Sequence, residues 1–352
     1  LSLRDVYSDV HLRHPLDAKH KFVFELGWRA YYRHVWAHIG EGIHQSLHCG
    51  VLPDDAYSDE LPSDVVEART GIAAIDLAVS ELYATGYLHN HARMWLASYL
   101  VHLRKVHWQV AAQWMLGHLL DGDVASNHLS WQWVAGTGSS KPYLFNADNV
   151  AKYAPEEWHS FGTVIDASYE ALDRLARSTT TVDKGIHSQA ASAGMQQPPL
   201  TGEPQDVRWS MPNLNLADGR DVWLLHPWSL GAVSKLEGTD VLLIGVGFVE
   251  LHAHMPWSAR RWNFVTEGLL SRTQHLWWGS VEQIALGLRG ARSVSWQSDA
   301  HANAVLKNLQ TQLQSKHSGP VVTTFDEPRL FSPVEPYCES FAQWWRRSKI
   351  AL

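Results

Sequence analysis

The sequence predicts an α + α/β protein, in which an all-helical domain is followed by a smaller parallel α/β domain. In residues 19–39, apolar and aromatic side chains recur every three or four positions, which is the spacing of one helix face. The same spacing recurs in three later segments, 70–85, 89–103 and 107–120. Residues 176–220 are polar and rich in Ser, Thr, Gly and Pro, as expected of a linker or long surface loop. We therefore predict a helical domain at 1–175, the linker at 176–220 and the α/β domain at 221–352.

Short apolar runs alternate with helical segments in the last third of the chain. VWLLHPW (222–228) and VLLIGVGFV (241–249) have the composition of buried parallel strands. A helix is expected at 258–272, with Ser258 as its N-cap. Further strands are expected at 275–280, 293–298 and 321–325, and further helices at 281–289 and 303–314. This alternation indicates a Rossmann-like parallel sheet.

The composition excludes several classes of protein. Of 352 residues, 45% are hydrophobic and 18% charged, as in ordinary soluble globular chains. The formal net charge of −7 argues against a general polyanion binder, but it leaves room for a local basic groove. We find no apolar run long enough to span a membrane and no signal peptide. The two cysteines, Cys49 and Cys338, provide neither a disulfide framework nor zinc-ligand spacing, so we expect a cytoplasmic protein without a metal site.

Tryptophan is unusually abundant, with 18 residues beside 21 histidines. Each buried indole N–H needs a hydrogen-bond partner, so tryptophan is a demanding residue to place. Such abundance suggests stacking surfaces or electron-transfer chemistry. A tryptophan-rich core is the alternative that composition leaves open.

The segment HNHARMW (89–95) opens one of the predicted helices. His89 and His91 are two residues apart and therefore point to different helix faces. They cannot share one metal ion from a regular helix, which argues against a metal-dependent nuclease. Packing could explain the two histidines, but it does not explain Asn90 and Arg93, which are three apart and share a face.

The segment DGDVASNHLSWQW (121–133) combines carboxylates, an amide and indoles. Asp121 and Asp123 bracket a glycine, and Asn127 follows one turn later. Because Asp, Ser and Asn favour helix starts, a capped aromatic helix explains this segment as well as a functional site does.

Four segments occur in a characteristic order: LSLRDVYSDV (1–10), ELGWRAYYRH (25–34), GYLHNHARMWLASYL (86–100), and DGDVASNHLSWQW followed by TG. In order and spacing they resemble the flavin domain of the photolyase/cryptochrome family, over about residues 1–150. The segments VWLLHPWSLG (222–231), SARRWNFVTEGL (258–269) and 323–347 more faintly resemble the family's α/β antenna domain. That domain precedes the flavin domain in relatives, so the resemblance implies a swapped domain order. An unrelated α/β domain is the alternative.

The resemblance implies FAD as the cofactor. Asn90 and Arg93 match residues that touch FAD, and Arg29 matches an arginine of the same pocket. Asp121 and Asp123 match the aspartates near the ribityl, adenosine and isoalloxazine portions. Arginine and asparagine donors suit a flavin and its pyrophosphate.

Asn127 matches the residue that faces flavin N5 and is counted with the catalytic residues. Plant-type cryptochromes resemble this family but carry Asp there, and insect-type cryptochromes carry Cys, so Asn127 favours photolyase. Trp131 and Trp108 match the first two members of the family's electron-transfer chain. Core packing is the alternative role of these two indoles.

The resemblance also assigns substrate-contacting residues. Glu25, Trp28 and Met94 match catalytic positions beside the flavin, and Trp133 is grouped with them as substrate-binding. Trp28 would stack on a flipped-out pyrimidine pair, and Glu25 would hydrogen-bond a pyrimidine edge.

The function implied is light-driven repair of cyclobutane pyrimidine dimers by an electron from reduced FAD, a lyase reaction with UV-damaged DNA as partner. His91 stands where many relatives carry an arginine at the DNA face, so we expect a preference for single-stranded lesions. We also expect a monomer without membrane contact. A cryptochrome-like photoreceptor without repair activity is the main alternative, and a non-photochemical helical DNA-binding protein is a third.

Overall fold

The computed structural model describes residues 2–182, 194–231, 240–315 and 319–351. The chain divides into two compact units, Ile39–Leu200 and a second unit that combines Leu1–His38 with Thr201–Leu352. We predicted a boundary after residue 175, whereas the chain contacts place the N-terminal helices with the sheet. Part of the predicted linker, 183–193, lies outside the described residues.

In the Ile39–Leu200 unit, the elements of regular secondary structure up to Ala176 are helices. A buried apolar core, which includes Leu82, Trp95, Leu96 and Trp108, joins them. The helix predicted at 89–103 is an α-helix whose last turn, Tyr99–Leu103, is π-helical. The helices are α3 (Ser63–Val66), α4 (Ala73–Thr85), α5 (Asn90–Ser98), α6 (Trp108–His118), α7 (Val124–Ala135), α8 (Ala147–Tyr153) and α9 (Tyr169–Ala176).

A glycine turn joins α4 to α5 and sets their position relative to the end of α6. Gly86 ends α4 in the left-handed conformation, with φ of 71°. Its carbonyl accepts a hydrogen bond from the Leu120 N–H at 2.8 Å. A Cβ atom on Gly86 would lie 2.6 Å from Leu120 Cγ and 3.2 Å from the His118 carbonyl oxygen. Only glycine therefore allows both this conformation and this approach.

Six parallel strands form the sheet of the second unit. The predicted strands are present, and the predicted helix at 258–272 begins after Ser258, whose Oγ accepts from the Arg261 N–H at 3.3 Å. The sheet strands are β2 (Trp209–Ser210), β3 (Asp221–Leu225), β4 (Leu242–Phe248), β6 (Leu276–Gly279), β7 (Ser293–Gln297) and β8 (Val321–Phe325). Their order is β2-β6-β4-β3-β7-β8, and every neighbouring pair is parallel. Strand β2 lies inside the segment that we predicted to be a linker.

The remaining elements of this unit are helices and two-residue strands. None of the helices in the described residues combines the length and apolar character needed to span a bilayer. The elements are α1 (Leu3–Arg13), α2 (Lys21–Ile39), α10 (Val249–His252), α11 (Ala259–Leu270), α12 (Val281–Leu288), α13 (Asn303–Gln314), α14 (Phe341–Arg347), β1 (Leu200–Thr201) and β5 (Trp257–Ser258).

Helix α2 contacts α14 within the sheet-containing unit. Phe24 meets Phe341 edge-on with ring centroids 4.7 Å apart. Tyr31 Oη donates a hydrogen bond to the Cys338 carbonyl at 3.3 Å. Helix α2 and the segment around α14 are therefore packed against each other.

The Gly86 turn gives a stability prediction. We expect Gly86→Ala to lower the free energy of unfolding by about 2–4 kcal/mol, from left-handed strain plus overpacking. Gly162 is the matched control, because its φ is 72° and nothing lies within 4 Å of a Cβ atom there. Gly162→Ala should therefore cost only the left-handed strain, about 1–2 kcal/mol. Equal losses of the two variants in denaturant titrations would contradict the proposed close approach.

Two buried histidines predict a loss of stability in acid. Burial lowers the pKa of His118 from 6.5 to about 4, and that of His102 likewise to about 4. As the pH falls below 6.5, the unfolded chain takes up these protons before the folded chain does, so stability is lost between about pH 6.5 and pH 4. The His118→Phe variant, which keeps the ring contacts with Tyr83 and Trp114, should lose less stability over that range. Unfolding free energies measured along the pH series test this, and an unchanged slope would refute it.

Candidate cofactor site

The first turn of α5 carries the polar face predicted from the sequence. His89 caps the helix, because its Nδ1 accepts from the His91 N–H at 3.3 Å. Asn90 is exposed, and its Nδ2 lies 3.5 Å from Met94 Sδ. The predicted cofactor residue Asn90 and the predicted substrate residue Met94 are thus direct neighbours on one helix face.

Arg93 pairs with Asp121, so two of the predicted cofactor residues are in direct contact. Its Nη2 donates to both carboxylate oxygens of Asp121, at 2.9 and 3.1 Å. Its Nε donates to the Leu88 carbonyl at 2.9 Å, which fixes the guanidinium at the Gly86 turn. The pair remains accessible, with 26% of the Arg93 side chain and 47% of the Asp121 side chain exposed. Within the part of the chain that the structure describes, Arg93 Nη1 has no hydrogen-bond partner, so it is available to a ligand.

Asp123 at the N-cap of α7 and Asn127 in its first turn are both held by hydrogen bonds. Asp123 is buried and caps α7, since its Oδ2 accepts from the Ser126 N–H at 2.9 Å and from the Ser126 hydroxyl at 2.7 Å. The helix cap predicted in this segment is therefore present. Asn127 is also buried, and its Nδ2 donates to the Ala112 carbonyl at 2.8 Å.

The predicted electron-transfer residues are buried, whereas Trp133 is not. Trp108 and Trp131 are each 3% exposed, but Trp133 is 41% exposed and packs at a tilt on Tyr143. Trp131 lies one turn after Asn127 on the same face of α7, and Trp133 points to another face. The structure therefore separates Trp133 from the helix face of Asn127.

Two residues that the sequence did not single out hold Trp108. Its Nε1 donates to Ser46 Oγ at 3.0 Å. The loop that carries Ser46 is tied to α7 by Gln132, whose Nε2 donates to the Gln45 carbonyl at 3.0 Å and whose Oε1 accepts from the Leu47 N–H at 2.9 Å. Gln132 is completely buried. Only its position between two motif tryptophans could have drawn attention to it in the sequence.

Glu25, Trp28 and Arg29 lie on α2, in the other compact unit. Glu25 is exposed, and Trp28 and Arg29 are half-buried. The Trp28 indole stacks on Phe341 with ring centroids 4.1 Å apart and an angle of 9° between the planes. We predicted that this indole would stack on a base, but one of its faces is already covered by α14. A base would need the other face or a displaced Phe341.

His91, the departure from the family pattern, is packed among aromatic rings. It stacks on Tyr153 at 4.5 Å with an angle of 12°, and on His89 at 5.2 Å. His91 is thus held by stacking on neighbouring aromatic rings.

The donor set is suited to FAD. Arg93 offers a cation for the pyrophosphate, and Asp121 offers carboxylate acceptors for hydroxyl groups. Asn90 and Asn127 add neutral amides. These residues gather at the N-termini of α5 and α7, where free backbone N–H groups favour anionic groups. The residues present therefore fit a flavin dinucleotide.

Comparison with known proteins agrees with this chemistry. Residues 22–179 match the family model described as the FAD binding domain of DNA photolyase. The chain is 36% identical over 133 residues to the deoxyribodipyrimidine photo-lyase of Escherichia coli, covering 35% of this chain and 27% of that protein. It is 38% identical over 180 residues to that of Streptomyces griseus, covering 44% and 37%. It is 32% identical over 144 residues to a cryptochrome DASH of Gloeobacter violaceus, covering 40% and 29%.

The matches thus span little more than a third of the length of these relatives, or less. They include both photo-lyases and a cryptochrome. The residues that the family model matches, 22–179, include Arg93, Asp121 and Asn127. Residues 22–179 therefore resemble the FAD-binding domain of DNA photolyases.

Proposed function

We propose that this protein is a light-driven DNA lyase that splits cyclobutane pyrimidine dimers in UV-damaged DNA. The observation that carries the proposal is Asn127, a buried amide with a fixed orientation in an FAD-binding domain. The photo-lyase relatives support it. FAD, when bound, supplies the light absorption and the transferable electron.

The orientation of the Asn127 amide determines what it can do. Its Nδ2 is committed to the Ala112 carbonyl, so Oδ1 is the atom left for a ligand. An amide oxygen accepts a hydrogen bond from a protonated ring nitrogen without adding charge. An aspartate at this position would add a negative charge beside the flavin. Asn127 therefore favours repair over the chemistry of the plant-type cryptochromes.

Arg93 and Asp121 bind and orient the cofactor in this proposal. Their mutual ion pair is accessible, and exposed pairs contribute only about 0–1 kcal/mol, so a ligand can replace it at small cost. Asp123 has a supporting role, because its carboxylate caps the helix that carries Asn127. Trp131 and Trp108 are the expected route for electrons to a bound flavin, held in place by burial and by Ser46.

A cryptochrome-like photoreceptor without repair activity is the second candidate. The covered face of Trp28 favours it, since a base cannot stack where Phe341 already lies. The cryptochrome DASH relative is consistent with it. The two candidates share the flavin site and differ in whether a lesion is bound.

Repair under blue light decides between the two candidates. With reduced FAD, we expect restoration of pyrimidine dimers in single-stranded oligonucleotides at a higher rate than in duplexes, because His91 is packed and supplies no arginine charge. Trp28→Ala should weaken lesion binding while FAD stays bound. Phe341→Ala, which uncovers the indole, should not reduce binding. If no strand is repaired while the flavin is photoreduced normally, the photoreceptor is the correct function.

Flavin retention tests the cofactor assignment separately. Arg93→Ala should weaken FAD binding by about 10- to 100-fold, the value of one charge-assisted hydrogen bond. Arg177→Ala is the matched control, since Arg177 is also paired with an aspartate on a helix but lies outside the proposed site. The ratio of flavin to protein absorbance after purification measures both. Equal retention by the two variants would show that Arg93 does not bind the cofactor.

A further inference from the structure

The Ile39–Leu200 unit contains a cavity of about 550 Å³, here called the loop cavity. One wall is the loop 48–51, and a second wall comes from the segment 136–142, which follows α7. Arg177, at the end of α9, also lines it. Small-molecule sites in proteins have volumes of about 300–1,000 Å³, so the loop cavity is large enough to hold a ligand.

Hydrogen bonds hold the two loops in place. The His48 N–H donates to the Thr137 carbonyl at 2.9 Å, which joins one wall to the other. Ser139 Oγ lies 2.9 Å from the Trp133 carbonyl oxygen and 2.6 Å from the Lys141 carbonyl oxygen, so the second loop is tied back to the last turn of α7. The cavity is therefore preformed, which reduces the entropy that a ligand loses when it binds.

The charged side chains of the loop cavity are cationic. Among the described residues that line it, Lys141 and Arg177 carry positive charges and none is an aspartate or glutamate. Arg177 Nε donates to Asp173 Oδ2 at 2.8 Å. The two Nη groups of Arg177 and the Nζ group of Lys141 bond to nothing in the part of the chain that the structure describes. Both cations can therefore bind an anion.

Uncharged donors belong to the same walls. Within the described ranges, the Ser140 hydroxyl and the backbone N–H groups of Gly50, Ser140 and Lys141 have no hydrogen-bond partner. Donors of this kind, together with cations, are the groups that bind phosphate oxygens. Val51 and Pro142 are half-buried in these walls and offer apolar surface to the organic part of a ligand.

We propose that the loop cavity is a binding site for a small phosphate monoester, of the size of a nucleoside monophosphate. A phosphate monoester carries a charge of about −1.5 to −2 at pH 7, which two cations match. Arginine bonds phosphate oxygens through its forked N–H groups, and lysine adds a point charge.

The same features favour a small ligand over a nucleic-acid strand. A strand carries a single charge on each phosphate, and its affinity comes from many cations that contact successive phosphates. The loop cavity offers two cations in one enclosed volume, and the net charge of the chain is −7. The site is separate from the residues assigned to FAD, so the proposal does not depend on the proposed function.

Cys49 provides a reporter within the loop cavity. It is an exposed free thiol that lines the cavity, whereas Cys338 is buried, so an uncharged alkylating reagent should label Cys49 first. The protein is saturated with FAD beforehand, so that a nucleotide cannot occupy the Arg93 site. At ten times its Kd, a nucleoside monophosphate leaves about a tenth of the sites empty, so labelling should slow about tenfold. Mass spectrometry of the labelled peptide measures this rate.

Matched variants connect the protection to the cations. Lys141→Gln should weaken the affinity by about 10- to 100-fold, whereas Lys141→Arg should keep most of it. Lys152→Gln is the control, because Lys152 is also exposed but lies on α8 and does not line the cavity, and it should leave the affinity unchanged. Arg177→Ala should weaken nucleotide binding while FAD stays bound, which separates this site from the flavin site.

Inorganic phosphate should also protect Cys49, at higher concentrations, and the unphosphorylated nucleoside should not. Absence of protection by the monophosphate would overturn the proposal, as would equal affinities of the parent and Lys141→Gln. Equal protection by the nucleoside and its monophosphate would show that the phosphate is not recognised. Stronger protection by an oligonucleotide without a terminal phosphate would assign the cavity to a strand and overturn the small-ligand site.

Discussion

The close approach of the chain at Gly86 to the turn at Leu120 is the constraint on which the cofactor site depends. The Leu120 N–H bonds the Gly86 carbonyl, and no side chain fits between them. This contact positions Leu88 so that its carbonyl accepts a hydrogen bond from Arg93 Nε. From there the guanidinium reaches both carboxylate oxygens of Asp121. A single left-handed glycine thus brings together two motifs that are separate in sequence.

Regular elements could be predicted from the sequence where their signals are local. The periodicity of α2 and the Ser258 cap of α11 depend on residues within a few positions of one another, and both are present. Strand β2 could not be predicted in this way. It has two residues in a polar segment and exists because Trp209 and Ser210 pair with Leu276 and Trp277 of β6. Such a short strand forms only because it pairs with a distant strand, so its own sequence shows no periodic pattern of apolar residues.

In the candidate site, too, local features could be predicted from the sequence and long-range contacts could not. The shared face of Asn90 and Arg93 follows from helix geometry and could be predicted. The pairing of Arg93 with Asp121 could not, because it depends on the Gly86 turn. Likewise, no local signal indicated that Phe341 would cover one face of Trp28. The sequence shows which side chains could bind a ligand. Long-range packing determines which atoms and ring faces of those side chains stay accessible to it.

We propose that Arg93, Asp121 and Asn127 form an FAD site within this chain. Calorimetric titration of FAD into the flavin-free chain tests it most directly. We expect saturable binding of one FAD per chain, with Asp121→Asn weakening the affinity and leaving the stoichiometry unchanged. Absence of saturable binding, or an affinity that Asp121→Asn does not alter, would contradict it.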